Sequence, residues 1–373
     1  MSPEDYLPIS VPDVSGNEGA YLQDCIESGW VSSIGSYVEK FEQEFAAFSD
    51  QPYGVSVNSG TAALQLALRA LDIGPGDEVI VPALTFAACA NAVLYQSATP
   101  VLADSSESSW NIDPATLASL VTPRTRAIMP VHLYGAPCEM DAILALAENR
   151  GIPIVEDAAE AHGARWGERP VGGMGTIGCF SFYGNKIITT GEGGMCVTGD
   201  EALYQRMCTL RDHGMNRERR YWHDTVGFNF RMTNLQAAVG CAQLERIESF
   251  LEKKRWIASS YNALLDGLDC TLPTEQPGTR NVFWLYTLLL PRDCTECERD
   301  QLIRWLAECR IDSRPMFYPL HRMPPYRRYA RDTPNADSFC ARGITLPSFQ
   351  GLTAADIERV TSAIRSWLST RRE

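Results

Sequence analysis

The stretch Gly74-Pro75-Gly76-Asp77-Glu78-Val79-Ile80-Val81 decides the fold, because a sharp turn leads directly into a short apolar strand. Small residues over 86–95 follow with the pattern of a helix, and 100–103 has the pattern of a second apolar strand. Short apolar strands that alternate with helices are typical of a mostly parallel sheet covered by helices on its faces. The stretch therefore predicts an α/β fold.

The same alternation continues toward the C-terminus. Short apolar runs at 126–132 and 152–156 flank a helical segment at 141–149. Two further strand patterns, 179–183 and 194–198, are joined by a glycine-rich loop. Because a short loop joins antiparallel strands more readily than parallel ones, we expect a mostly parallel but mixed sheet.

The character of the chain changes after about residue 243. A long charged helical stretch, 244–265, leads into a proline-containing strand region and then into a last helix. That helix begins at Thr353-Ala354-Ala355-Asp356, which resembles a capping box, and apolar residues follow on one face. We therefore expect a large domain over 1–248 and a smaller α+β domain over 249–373.

Composition and charge argue against several functional classes. The 373 residues carry a formal net charge of −13, so the field of the protein repels nucleic acids and anionic membranes. The longest charge-poor run, 79–94, is too short and too polar to span a membrane, and the acidic residues 1–6 do not resemble a secretory signal. Twelve cysteines scattered through a long chain indicate reduced thiols, so we expect a cytoplasmic protein.

The first candidate for binding chemistry is Asn58-Ser59-Gly60-Thr61, between a strand-like run and a strongly helical one. A helix N-terminus offers free N–H groups and the positive end of the helix dipole, which suit a phosphate. An ordinary Ser or Thr N-cap explains the same residues. Both interpretations stay open from this motif alone.

Two further candidates follow strand patterns. Asp157 ends a buried strand, where ligands of α/β sheets bind, although an acid there also caps a following helix. Lys186 lies in a polar, glycine-rich loop after the 179–183 strand, and a lysine forms a Schiff base only if its amine is partly neutral. Most lysines are solvated surface charges, so position alone does not assign this one.

Other motifs fail on their context. The glycines at 173–178 have GxGxxG spacing, but they precede a strand instead of following one, which excludes a dinucleotide fingerprint. Cys294 and Cys297 form a lone CxxC pair and no HExxH motif occurs, so we expect no metal site. Cations and aromatics are mixed at 217–223 and 314–328, as in a socket for an anionic small molecule or in a solvated loop.

A phosphate cup, a strand-end Asp157 and a glycine-flanked Lys186 are together what pyridoxal phosphate (PLP) requires. At this point the chain resembles the fold-type-I, PLP-dependent nucleotide-sugar aminotransferases of the DegT/StrS group. The resemblance covers nearly the whole chain, and it is specific for the family more than for the sugar. The segments that carry it are 30–33, 59–64, 74–82, 130–135, 156–160, 184–194 and 227–234.

The resemblance implies a role for individual residues. Lys186 would form the Schiff base with PLP and then move protons as general base and acid, while Asp157 would pair with the pyridinium nitrogen. Phe86 would stack on the ring, and Asn229 would reach the phosphate from a partner subunit, so the active site of a homodimer would be shared. The cofactor-binding residues implied are Ser59, Gly60, Thr61, Phe86, Asp157, Glu160, Ser181, Lys186 and Asn229.

The resemblance also implies the reaction. L-Glutamate would donate its amino group, and C4 of a nucleotide-linked 4-keto-6-deoxy sugar would receive it, with GDP-4-keto-6-deoxy-D-mannose indicated by Glu160 where many members have His. A UDP- or dTDP-linked 4-keto sugar, or a 3-keto sugar, is the alternative. Lys186 favours amination over dehydration, because a dehydratase branch has His there. A non-catalytic PLP-binding regulator would lack this lysine or carry a DNA-binding module.

Overall fold

The computed structural model describes residues 6–216 and 218–371. The helices are α1 (Glu18–Ser28), α2 (Ser36–Phe48), α3 (Gly60–Ala70), α4 (Ala88–Tyr95), α5 (Pro114–Leu120), α6 (Met140–Arg150), α7 (Glu201–Arg211), α8 (Asn234–Leu244), α9 (Ile247–Leu265), α10 (Glu296–Glu308), α11 (Pro334–Arg342) and α12 (Ala354–Thr370). The strands are β1 (Tyr53–Val57), β2 (Glu78–Pro82), β3 (Thr99–Ala103), β4 (Thr125–Ile128), β5 (Val155–Asp157), β6 (Arg165–Trp166), β7 (Arg169–Pro170), β8 (Ile177–Ser181), β9 (Gly194–Thr198), β10 (Thr279–Arg280), β11 (Tyr286–Leu289), β12 (Arg314–Pro315) and β13 (Gly343–Leu346).

The central sheet has the strand order β3-β2-β4-β5-β8-β9-β1. This order combines a three-stranded sheet, β3-β2-β4, with a four-stranded sheet, β1-β9-β8-β5. Parallel bridges from Ile128 to Ile154 and from Val131 to Asp157 join the two parts. β9 pairs antiparallel with both β8 and β1, whereas the other pairs are parallel. The prediction of a mostly parallel, mixed sheet is therefore confirmed.

Helices cover the central sheet with apolar faces, and α3 is an example. α3 has seven buried residues, and the side chain of Ser59 caps it by accepting from the N–H of Ala62. α3 packs on both β8 and β9, so its N-terminus lies beside the end of β8. This packing places the 58–61 motif next to Ser181, the last residue of β8.

A second apolar cluster lies in the C-terminal part of the chain. α9, α10 and α12 pack with the antiparallel sheet β11-β13-β12. The expected capping box of α12 is present, because Thr353 and Asp356 bond each other's backbone N–H groups. Leu7, from the N-terminal end of the described chain, also packs into this cluster.

Two segments differ from the sequence expectation. The strand expected over 126–132 is shorter: β4 ends at Ile128, a bridge from Val131 to Asp157 follows, and the chain then enters a turn over 133–135 in which Tyr134 has a φ of 53°. The helix expected over 244–265 is interrupted, since α8 ends at Leu244 and α9 begins at Ile247. Among residues 6–216 and 218–371, no helix has both the length and the apolar character that crossing a membrane requires.

Candidate active site

Asp157 lies at the carboxyl end of β5, as expected from the sequence. Its side chain is almost fully buried, and its two oxygens accept hydrogen bonds from the N–H of Ala159, at 3.0 Å, and from the thiol of Cys89, at 2.9 Å. Cys89 belongs to α4, so this helix helps to orient the carboxylate. The arrangement holds a carboxylate in a fixed position where a cofactor's cation could meet it.

The 58–61 motif forms a tight junction with the end of β8. A Cβ atom added to Gly60 would lie 2.6 Å from the Cβ of Ser181, closer than two such atoms approach. Ser59 caps α3, so the simple N-cap interpretation of this residue holds, while its hydroxyl hydrogen stays available to another acceptor. Glycine at position 60 therefore lets the helix N-terminus and the Ser181 hydroxyl face the same space.

Lys186 lies in the loop after β8, with its side chain only 11% exposed. Its Nζ atom is 3.6 Å from Oε1 of Glu160 and 3.8 Å from the centre of the Trp284 ring. Burial lowers the pKa of Lys186 below its ordinary value, against the opposing charges of Glu160 and Asp157. A partly neutral amine is the form that attacks a carbonyl, so the environment suits a nucleophilic lysine.

Glu160 is held by the backbone of Tyr134. The N–H of Tyr134 donates to Oε2 of Glu160 at 2.8 Å, and the left-handed conformation of Tyr134 accompanies this contact. Burial raises the pKa of Glu160 to about 7, although Lys186 and this N–H oppose the shift. Glu160 is thus a buried carboxyl group that titrates near neutral pH beside the amine of Lys186.

Aromatic rings form a wall beside these groups. Phe86 is 59% exposed and contacts Phe317, whose ring lies 5.3 Å from that of Tyr134. Tyr134 in turn stacks near Trp284 at a ring separation of 6.2 Å. Phe86 is also within one helical turn of Cys89, since the N–H of Cys89 donates to its carbonyl. The wall thus extends from the exposed Phe86 to the ring beside Lys186.

A buried network supports the strand end that carries Asp157. Glu156 accepts from the backbone N–H groups of Gly172, Met174 and Gly175 and from Nε2 of His132. Nδ1 of His132 accepts from the N–H of Cys138, so Nε2 carries the proton. Burial raises the pKa of Glu156, but these donors outweigh it and hold the pKa below its ordinary value. The carboxylate of Glu156 therefore fixes two loops beneath the site, one that contains 172–175 and one that contains His132.

The structure brings most of the expected residues to one end of the sheet. Asp157 is directly across from Cys179 in the β5–β8 register, two residues before Ser181. Asn229 is exposed, and its carbonyl accepts from Asn58 at the edge of the 58–61 motif. Its expected contact with a partner's phosphate stays a prediction, as do the binding roles of Ser59, Gly60, Thr61, Phe86, Asp157, Glu160, Ser181 and Lys186.

The segment 314–328 returns from the C-terminal sheet to this end of the molecule. The N–H of Phe317 donates to the hydroxyl of Tyr134, and the N–H of Leu320 donates to the carbonyl of Ala83. Arg314 and Arg322 pair with Asp312 and Glu296, so acidic neighbours already meet these two cations. In the 217–223 block, Arg217 lies outside the described residues.

Sequence reasoning missed four residues of this site: Cys89, Tyr134, Phe317 and Trp284. Tyr134 belongs to the 130–135 segment that carried the resemblance, Phe317 lies in the 314–328 block, and Cys89 lies three residues after Phe86, so all three had a nearby signal. Trp284 had none, because its indole N–H meets the carbonyl of Asn185 across 99 residues of sequence.

Comparison with known proteins identifies the family. The model of the DegT/DnrJ/EryC1/StrS aminotransferase family matches residues 12–365. The GDP-perosamine synthase of Caulobacter vibrioides (strain ATCC 19089 / CIP 103742 / CB 15) is 46% identical over 98% of this chain and 99% of its own. That of Escherichia coli O157:H7 is 42% identical over 98% of this chain and 100% of its own. The solved PLP-form of Spr1654 from Streptococcus pneumoniae, 28% identical, superposes with a TM-score of 0.93 over 98% of this chain and 99% of that one. The chain therefore belongs to the DegT/DnrJ/EryC1/StrS aminotransferase family.

Proposed function

We propose that this protein is a PLP-dependent aminotransferase that moves the amino group of L-glutamate to C4 of GDP-4-keto-6-deoxy-D-mannose, producing GDP-perosamine. The observation that carries the proposal is the largely buried amine of Lys186, 3.6 Å from Glu160, at the sheet end where Asp157 also lies. Family membership supports the reaction type. Identity of 46% to a GDP-perosamine synthase over nearly the full chain supports the sugar.

The residues present fit PLP. The first N–H groups of a helix have no partner within the helix, so those of Gly60 and Thr61 can bind a phosphate. The hydroxyls of Ser59 and Ser181 face the same junction, and glycine at position 60 keeps it open. Asp157 supplies the carboxylate for the ring nitrogen, and the exposed ring of Phe86 supplies a stacking surface. The set thus provides several contacts for the phosphate and a carboxylate for the ring nitrogen.

When bound, PLP supplies an aldehyde that condenses with amines and a pyridinium ring that accepts electrons. Asp157 keeps the ring nitrogen protonated, because a buried carboxylate favours a cation beside it. Cys89 and the N–H of Ala159 hold that carboxylate in one orientation. These residues therefore determine how strongly the ring withdraws electrons.

Lys186 moves the protons of both half-reactions at its Nζ atom. In its neutral form it removes the proton from Cα of glutamate, and in its protonated form it returns a proton during the transfer to the sugar. Glu160 faces Nζ and titrates near neutral pH, so it can keep either form of the lysine balanced in charge. The pair therefore serves general base and general acid steps at one position.

We infer that the active unit is a homodimer. Apolar side chains are exposed in two loops next to the site, with Ile34 at 72% and Val226 at 82% exposure. Asn234 ties the first loop to the start of α8, eight residues after Val226, since its amide donates to the carbonyl of Trp30. Large exposed apolar side chains such as these support a surface that another chain covers.

Replacing Ile34 tests this assembly. Ile34→Glu places a charge in the interface, so light scattering should report a monomer and activity should fall by at least about tenfold. Trp256→Glu, on the outer face of α9, is the control and should stay dimeric. A monomeric wild-type protein, or a fully active monomeric variant, would exclude the shared active site.

The cytoplasm is the proposed location. None of the twelve cysteines forms a disulfide and nine of them are buried, as in proteins whose thiols stay reduced. GDP-linked sugars and glutamate, the proposed substrates, are consistent with that compartment. Labelling of intact cells with an impermeant thiol reagent should leave Cys297, the exposed cysteine, unmodified; rapid modification would contradict the location.

Mass spectrometry of the product tests the sugar. The enzyme is incubated with PLP, ¹⁵N-labelled glutamate and, separately, GDP-4-keto-6-deoxymannose, a UDP-linked 4-keto sugar, a dTDP-linked 4-keto sugar and a 3-keto isomer. We expect ¹⁵N to enter the GDP sugar with the highest kcat/KM. A higher kcat/KM for another sugar would replace the substrate, and no incorporation into any would favour a non-catalytic PLP-binding protein.

A further inference from the structure

A second buried lysine lies behind the active site. Lys254, on α9, is 3% exposed, and its Nζ atom has three oxygen neighbours. It donates to the carbonyl of Trp284 at 2.8 Å, to the carbonyl of Ser348 at 2.6 Å and to the Ser348 hydroxyl at 3.1 Å. Lys254 and Lys186 line the same small cavity. A side chain that is costly to bury thus lies near the lysine that we assign to catalysis.

The environment of Lys254 is that of a hydrogen-bond donor, not of an ion pair. Within the described chain, burial is the cause that moves its pKa, which falls to about 7, and no charged neighbour contributes. Charged or neutral, the amine can donate to the carbonyl of Trp284. The hydrogen bond from Lys254 therefore fixes the position of the Trp284 carbonyl.

Trp284 is held at each of its polar atoms. Its backbone N–H donates to the carbonyl of Tyr134 at 2.9 Å, and its indole N–H donates to the carbonyl of Asn185 at 2.7 Å. Its carbonyl accepts from Lys254. The face of its ring lies 3.8 Å from Nζ of Lys186. Trp284 thus connects the two lysines, because Lys254 bonds its backbone carbonyl and Lys186 lies against its ring.

We propose that Lys254 is a positioning residue for Lys186, acting through Trp284, whose carbonyl it holds so that the indole face stays against the nitrogen of Lys186. This inference rests on the proposed function of Lys186. An aromatic face stabilises a nearby cation, and the effect depends on distance and angle. Lys254 thereby favours the protonated form of the Lys186 nitrogen without touching it.

The readout is the pH midpoint of the visible absorption band of PLP bound to the protein. This band changes when the nitrogen contributed by Lys186 loses its proton, so its midpoint reports that nitrogen directly. The titratable groups that face Lys186 are Glu160, Asp157, Cys89 and His162. All four are retained in every variant below, so a shift in the midpoint can be assigned to the indole.

Lys254→Met removes the donor and keeps the length of the side chain. We expect the midpoint to fall by about 0.5 pH unit, because a freed indole stabilises the cation less well. We also expect kcat to fall by about threefold to tenfold, with the KM of the keto sugar changed by less than about twofold. Lys254→Gln, which keeps a donor one atom shorter, should give a smaller shift and replaces Lys254→Met if that variant does not fold.

Two controls separate positioning from loss of packing. Lys253→Met removes the neighbouring lysine of the same helix, which lies over Trp256, and should leave the midpoint unchanged. Arg299→Met removes another fully buried cation, which bonds the carbonyl of Cys340 in the C-terminal cluster. It should lower the thermal stability without moving the midpoint.

The double variant tests the route. Trp284→Leu should lower the midpoint at least as much as Lys254→Met, and adding Lys254→Met to it should cause no further shift. An additive shift, an unchanged midpoint in Lys254→Met and Lys254→Gln, or an equal shift in Arg299→Met would overturn the proposal. Failure of the proposed function is distinct, because the wild-type protein would then show no such band.

Discussion

The amine of Lys186 lies 3.6 Å from a carboxylate oxygen of Glu160, and both groups are nearly inaccessible to water. Burial disfavours the charged form of each, whereas the contact favours the charged pair. For Glu160 burial prevails, and its pKa rises from an ordinary value of 4.5 to about 7. Glu160 therefore retains its proton in a pH range where an exposed carboxyl group has lost it.

Glu160 should make the PLP-free protein less stable as the pH rises from about 4.5 to about 7. Between these values the folded carboxyl binds more protons than the unfolded one, so its contribution to the free energy of unfolding falls with rising pH. In Glu160→Gln this titration is absent. We expect the free energy of unfolding of the variant, relative to wild type, to increase across this window, as measured by urea unfolding. A difference that is independent of pH would show that Glu160 has an ordinary pKa.

Lys186→Met should abolish both half-reactions and leave the fold intact. Loss of the proton-transferring amine should lower kcat by at least about a thousandfold. The thermal midpoint should stay near that of wild type or rise, because an apolar side chain of similar length replaces a buried amine. Lys253→Met is the matched control, with full activity expected. Substantial turnover by Lys186→Met would remove this residue from the proposed role.

Gly60→Ala should weaken PLP binding by closing the junction between α3 and β8. The added Cβ would lie 2.6 Å from the Cβ of Ser181, so the helix N-terminus must move away. Overpacking of this kind costs about 1–3 kcal/mol, and we expect the Kd of PLP to rise by at least about tenfold. Gly74→Ala, where nothing lies within 4 Å, should bind normally.

A second change at this junction provides the sharper test. Ser181→Gly removes the atom that the new methyl group meets, so the Gly60→Ala/Ser181→Gly protein should recover part of the affinity that Gly60→Ala loses. If the double variant binds no better than Gly60→Ala, contact with Ser181 is not the reason why position 60 requires glycine.

Cys89→Ala should reduce the rate of the reaction with glutamate, because the carboxylate of Asp157 loses a donor that orients it. Loss of one such hydrogen bond corresponds to about 1 kcal/mol, or about fivefold in rate. Cys89→Ser keeps a donor at the same position and should retain most of the rate. Stopped-flow absorbance measures both. Equal rates in Cys89→Ala and wild type would exclude an orienting role for the thiol.

The parts of the site that could be predicted from the sequence are those with a local signal. The apolar run before Asp157 predicts the end of a strand, and the residues after Ser59 predict the start of a helix. The signal for each of these two residues therefore lies next to it in the sequence. Family resemblance then supplied roles that position alone left open. These residues define one end of the central sheet, where the structure places them.

Residues that depend on distant packing could not be predicted. Trp284 reaches Lys186 only after α9 and the following segment fold back on the sheet, and Lys254 meets Ser348 across 94 residues. The left-handed conformation of Tyr134 could not be predicted either, because it accompanies contacts with Glu160 and Trp284, which are distant in sequence. Apolar pattern contains no information about such contacts.

The visible spectrum of the purified protein, followed through both half-reactions, tests the central claim most directly. We predict that the band of protein-bound PLP disappears when glutamate is added and returns when GDP-4-keto-6-deoxymannose follows. Loss of the band without its return would reject that sugar and keep the aminotransferase. A protein that shows no such band after incubation with PLP would contradict the assignment of Lys186, and with it the account as a whole.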